Sequence, residues 1–126
     1  MISIVLLNKR KPGITKEQFL EHYERSHAPM ATRVFGHLFT SYTRNYIHSQ
    51  GQHASNTNVQ GESGADVQWD CVTAITFAKK EDLEEMRRLV QEPETLAMFL
   101  ADEEHFLDRS AKTVFGCDQL QTLPIS

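Results

Sequence analysis

The chain has 126 residues, 40% hydrophobic and 24% charged, with a formal net charge of −4 at pH 7. These values predict one globular domain over 1–126 with its own core, and they exclude a disordered or membrane-spanning class. Its densest basic cluster is Lys9-Arg10-Lys11, too short a stripe to track a phosphate backbone, so nucleic acid is excluded as a partner.

Ile2 to Leu7 is an apolar, β-branched run whose basic residues follow it instead of preceding it. It reads as a central strand buried on both faces or nearly so, not as a signal peptide, and a cytoplasmic protein is expected. Thr15 with Gln18 fits a capping box that opens a helix. That helix is expected to run to about Ala28 and to stop there, because the residue before Pro29 is pushed out of helical geometry. Phe19, Tyr23 and His27 recur at i, i+4 and i+8, so they share the covered face.

Met30 to Leu38 reads as a connector turning at Gly36. Phe39 to His48 alternates with period two, which predicts a strand. One side carries Thr40, Tyr42, Arg44, Tyr46 and His48, and this row is either a solvent-facing surface or the polar wall of a pocket. Residues 49–68 hold three glycines and little apolar matter, which predicts a long mobile loop. Trp69 to Phe77 alternates again as a third strand, with Trp69 and Cys71 on one side. Lys80 to Val90 has helical spacing, Pro93 interrupts it, and Glu94 to Arg109 reads as a further helix. Lys112 to Cys117 is a short fourth strand, and 118–126 an irregular tail.

Two β-α-β halves in this order predict an α+β fold: a ferredoxin-like split βαβ with a four-stranded antiparallel sheet and helices on one face. The first strand then lies between the third and fourth. Cys71 and Cys117 fall two strands apart, beyond disulfide reach, and are expected to be reduced thiols. The uncovered sheet face needs a partner, so a homodimer through that face is expected.

Several motifs carry a resemblance. Lys9-Arg10-Lys11-Pro12-Gly13, Phe19, Ser26-His27-Ala28-Pro29, Trp69-Asp70-Cys71, Phe77, Asp102 to Asp108 and Gly116 together resemble the EthD family of dimeric α+β barrel proteins. The Trp-Asp-Cys strand and the ending are most similar to fungal members of aromatic polyketide pathways, some of them anthrone-type carboxylate decarboxylases. The resemblance implies a small aromatic substrate, no metal and no organic cofactor.

Set on this frame, His27 is the candidate general acid/base, since an imidazole moves protons near neutral pH; the competing role is a cap on the last helical carbonyls. Tyr42 and Tyr46 are placed to polarise a substrate carbonyl and Arg44 to hold a carboxylate. Tyr23 and Trp69 are candidate substrate contacts. His105, in an acidic helix, is a weaker one, and Asp102 and Asp108 read as structural. His22 and His27 lie five apart, off a common α-helical face, and are not read as a metal pair. The expected activity is decarboxylation or a related proton-transfer step such as cyclisation or dehydration. The alternatives are a binding protein that sequesters an aromatic intermediate and a cofactor-free monooxygenase.

Overall fold

In the computed structural model, which describes residues 1–49 and 68–122, strand β1 (Ile2–Asn8) is the axis of the sheet. It pairs antiparallel with β3 (Cys71–Phe77) on one side and β4 (Thr113–Asp118) on the other, and β2 (Ser41–Tyr46) closes the outer edge beside β3. The order β2-β3-β1-β4 is that of the ferredoxin-like split βαβ. Cys71 and Cys117 are accordingly free thiols on non-adjacent strands.

The register sets the faces. Ile4 stands opposite both Ile75 and Gly116, and Ile75 opposite Tyr42. Because strand side chains alternate, even positions of β1 and β2 and odd positions of β3 share one face. Ile4, Ile75 and Phe77 pack there against Leu83, with Leu6, Phe39 and Tyr42 beside them. The row Tyr42, Arg44, Tyr46 therefore faces the helices and not solvent. The opposite face carries Val5, Leu7, Val72, Ala74 and Phe115, with no helix over it among the described residues, and Phe115 is 49% exposed.

The helical layer departs from the expectation at its first element. The capping box forms as read: the Gln18 amide N–H donates to Thr15 Oγ1 at 3.0 Å and Thr15 N–H donates to Gln18 Oε1 at 2.9 Å. Helix α1 (Lys16–His22) then passes into a π-turn over Tyr23–His27, where the Ala28 N–H reaches back to the Tyr23 carbonyl. The chain continues directly as α2 (Ala28–Phe35), with Pro29 in its first turn. Pro29 does not end the helix, and Met30 to Phe35 is not a connector. The wider turn suits a residue whose ring would collide with a carbonyl four residues back and which has no N–H to give. A 3₁₀ turn, Gly36–Leu38, leads to β2.

Helix α3 (Lys80–Val90) has the bounds its periodicity predicts. Helix α4 (Pro93–Glu103) begins on its proline instead of being kinked by it, and it stops six residues before Arg109. The reason is burial: Phe106 is 0% and Leu107 6% exposed. To reach the core they leave the helix and dock on the segment after β1, through Lys11 N–H to Phe106 O at 2.8 Å and Asp108 N–H to Lys9 O at 2.9 Å. The loop expected over 49–68 lies outside the described residues except for Ser49 and Gln68. Of the expected tail, Asp118 completes β4, 119–122 have no regular structure, and the rest is not described. No helix among the described residues is long and apolar enough to cross a membrane.

Candidate active site

Phe19, Tyr23 and His27 form the column that their spacing predicts. Successive ring centroids are 5.9 and 5.3 Å apart, both pairs edge-on. Phe106 packs against all three, and Phe99 of α4 meets His27 at 5.7 Å. Edge-to-face aromatic contacts of this kind contribute about 0.5–1.5 kcal/mol each beyond burial, so the imidazole is held by rings on several sides.

Between this column, α4 and the sheet lies a cavity of about 200 Å³. Its apolar wall includes Leu6, Phe35, Phe39, Ile75 and Phe99. Its polar side chains are Tyr23, His27, Tyr42, Thr73, Glu103 and Lys112. An apolar pocket with a few convergent polar groups is the usual form of a small-molecule site. At about 200 Å³ it falls below the roughly 300–1,000 Å³ of sites for drug-sized ligands, which suits a substrate of one or two rings.

His27 is fixed by Asp102. Its Nδ1 lies 2.8 Å from Asp102 Oδ2, while Asp102 Oδ1 accepts from Ser26 Oγ at 2.6 Å and meets His22 Nε2 at 2.9 Å. Two histidines five apart thus share one carboxylate. The premise that they lie off a common face fails because the π-turn takes up an extra residue per turn. With Nδ1 engaged by a carboxylate, Nε2 is the nitrogen left for chemistry. Burial lowers the His27 pKa from its ordinary 6.5, against the opposing pull of Asp102, so the resting ring is neutral and Nε2 carries a lone pair. For Asp102, burial pushes upward, but the hydrogen bonds from Ser26, His27 and His22 outweigh it and hold the carboxyl below the usual range.

Two phenols line the cavity, Tyr23 beside His27 and Tyr42 from the sheet. The Tyr23 hydroxyl is 2.6 Å from Thr73 Oγ1 and accepts from Asn8 Nδ2 at 3.4 Å. Burial raises its pKa, and pushes that of Tyr42 up to about 12. Both remain protonated at neutral pH, as hydrogen-bond donors. Burial also pushes the Cys71 thiol up to about 11, which removes it as a nucleophile.

The other candidates lie elsewhere. Arg44 faces the helix layer but is spent on Glu24, with Nε to Oε2 at 2.7 Å and Nη2 to Oε1 at 2.8 Å. This bidentate pair, with Arg44 packed over the Tyr42 ring at 4.6 Å, leaves no fork for a substrate carboxylate. The Tyr46 hydroxyl donates to the same Glu24, and neither residue lines the cavity. Trp69 precedes β3 and is not part of the lining. His105 is exposed and stacks on His22 at 5.3 Å. Of the seven candidates, the structure brings His27, Tyr42 and Tyr23 together around the cavity.

Sequence reasoning gave Asp102 only a structural role and missed Glu103 and Lys112. Asp102 had one available signal, its place in the acidic motif at the end of α4. Glu103 shares that motif, but nothing local marks it or Lys112 as a residue that the fold brings to a cavity. Among the described residues, no group of three or more His, Cys, Asp or Glu side chains is arranged to hold a metal ion.

The EthD domain model matches residues 11–110 of the chain. No curated protein sequence matches it. Among solved structures, a protein of Arabidopsis thaliana is 16% identical with a TM-score of 0.57, the alignment covering 97% of this chain and 98% of that one. SnoaB, described as a cofactor-independent oxygenase from Streptomyces nogalater, is 13% identical at a TM-score of 0.54, covering 98% and 97%. A protein from Bacteroides fragilis, described as dimeric, of unknown function and of ferredoxin-like fold, is 12% identical at 0.54, covering 94% and 95%. At these identities the likeness is one of fold.

Proposed function

The chain belongs to the EthD family, and from that premise we propose an enzyme in which His27 moves a proton on a small aromatic, polyketide-like molecule. The observation that carries this reading is the His27–Asp102 contact of 2.8 Å at the wall of a largely apolar cavity. A carboxylate on Nδ1 orients the ring and stabilises the imidazolium that forms when Nε2 takes a proton. Tyr42, a phenol held protonated, is the donor for a substrate oxygen. In this reading catalysis uses side chains alone, without metal or organic cofactor, and the protein works as a homodimer joined through the open sheet face.

A neutral resting imidazole favours proton abstraction, the first step of cyclisation or dehydration. Decarboxylation is the second reading. Asp102 favours it, because a carboxylate on Nδ1 lets the ring hold a proton long enough to deliver it to the carbanion that departing CO₂ leaves behind. Replacing His27 with Gln should abolish turnover of aromatic β-keto acids or their cyclising analogues while shifting thermal unfolding by only a few degrees. A His27→Gln variant with full activity would overturn the proposal, and saturable binding without product by the unaltered protein would establish a carrier instead.

A further inference from the structure

Among the described residues, the one Lys or Arg side chain in the cavity wall is that of Lys112, and it comes from neither the helix motif nor the tyrosine strand. Lys112 stands immediately before β4, and its Nζ lies 3.0 Å from Glu103 Oε2 on the last residue of α4. Both residues line the cavity with His27 and Tyr42. The Glu103 side chain is 8% exposed and that of Lys112 30%.

A carboxylate buried to this degree requires a partner, and Lys112 supplies one. An ammonium carries three donors, however, and one contact with Glu103 leaves others for a ligand. Consecutive residues at the end of α4 thus serve opposite sides of the same chemistry. Asp102 holds the imidazole that takes a proton, and Glu103 holds a cation. Arg44, on the same face of the sheet, is bound at both arms to Glu24 and cannot serve.

We infer that Lys112 is a second electrophile of the site beside the Tyr42 phenol, donating from Nζ to a keto or phenolic oxygen of the substrate and stabilising the oxyanion formed there. The inference rests on the proton-transfer reading above and names the group its substrate must carry. The step balances within the site. The C–H bond next to the carbonyl breaks and its proton passes to His27 Nε2. The electron pair becomes the new C=C bond, and the carbonyl π pair moves onto the oxygen facing Lys112. Asp102 then faces an imidazolium and Lys112 an enolate, so charge forms at two places already matched to it. Because the oxygen gains charge only as the reaction proceeds, the contact with Lys112 strengthens toward the transition state and accelerates the chemical step.

The test uses 4-nitrophenol, a one-ring probe whose phenol and phenolate absorb at different wavelengths. The unaltered protein should bind the phenolate about tenfold or more in preference to the phenol. Lys112→Met should abolish that preference and Lys112→Arg should keep most of it. Glu103→Gln should increase it, because it releases the ammonium from its counterion. A purely structural ion pair predicts a different pattern, with Lys112→Met and Glu103→Gln both lowering stability and neither changing the preference. Should Lys112→Met unfold because Glu103 is left unpaired, the double variant Glu103→Gln/Lys112→Met leaves no unpaired charge at these two positions and should show the same lost preference. In turnover, Lys112→Met should lower kcat about 10²–10³-fold and change KM less. Unchanged phenolate preference in Lys112→Met, with His27→Gln still inactive, overturns this inference alone. An active His27→Gln overturns the reading beneath it.

Discussion

His27 stands between two forces of opposite sign. Burial among Tyr23, Phe99 and Phe106 disfavours its charged form, and Asp102 favours it; burial wins and the pKa falls below 6.5. Activity that needs the neutral ring should therefore decline on the acid side with an apparent pKa below 6.5, read from kcat/KM against pH. Asp102→Asn removes the interaction that opposes burial, so the acid limb should move lower still. The rate should drop about 10²–10⁴-fold, because the imidazole loses its orientation and its counter-charge. An acid limb that moves up would contradict the assignment. The same sign governs stability. The unfolded chain takes up this proton first as pH falls, so the His27 contribution is complete above 6.5 and is lost as pH drops toward the folded value. At this scale the motif made His27 legible, because helix spacing and the histidine before Ala-Pro both point to it. Asp102 was not legible, since its partners lie on another helix, nor was the fate of Arg44, which depends on Glu24 across the helix–sheet interface.

Among elements, the π-turn at Tyr23–His27 explains the most. It carries the helix past Pro29, and it also turns His22 and His27 toward one carboxylate. A π-turn holds one residue more per turn than an α-helix. Deleting Arg25, whose side chain is 80% exposed, should return the turn to α spacing and bring the Pro29 ring against a carbonyl. The variant should lose about 3 kcal/mol of stability by thermal or urea unfolding. Turnover should fall to the level of Asp102→Asn, because His22 and His27 no longer meet at Asp102. Full activity in a folded deletion variant would show that the wide turn has no part in the site. The capping box at Thr15 and the bounds of α3 were readable because both are local signals. The passage through Pro29 and the early end of α4 were not. Each is decided by tertiary contact, the first by the docking of His27 and the second by that of Phe106 and Leu107.

For the whole molecule, the order of elements alone was enough to predict the sheet, since two β-α-β halves leave few ways to pair four strands. It could not say which face carried the tyrosine strand, because a period-two pattern with polar residues on both sides has no preferred orientation. The register settles that, and it leaves Val5, Leu7, Val72, Ala74 and Phe115 on a face that no helix among the described residues covers. If this face joins two copies, Phe115→Glu should convert a dimer to a monomer in sedimentation equilibrium at micromolar concentration, with the helical signal retained. A variant that sediments as the unaltered protein does would place the contact elsewhere.

The contacts at the cavity also have a consequence for how the molecule forms. His27 and Asp102 are 75 residues apart in the chain, and Tyr23 and Thr73 are 50 apart. Pairings of such separation form only after long loops have closed, at an entropic cost that local helices do not bear. Helix α1 can therefore take shape while His27 has no counter-charge and the cavity has no far wall. Catalytic competence regained during refolding would report the meeting of the two halves of the chain, and would come later than the helical signal.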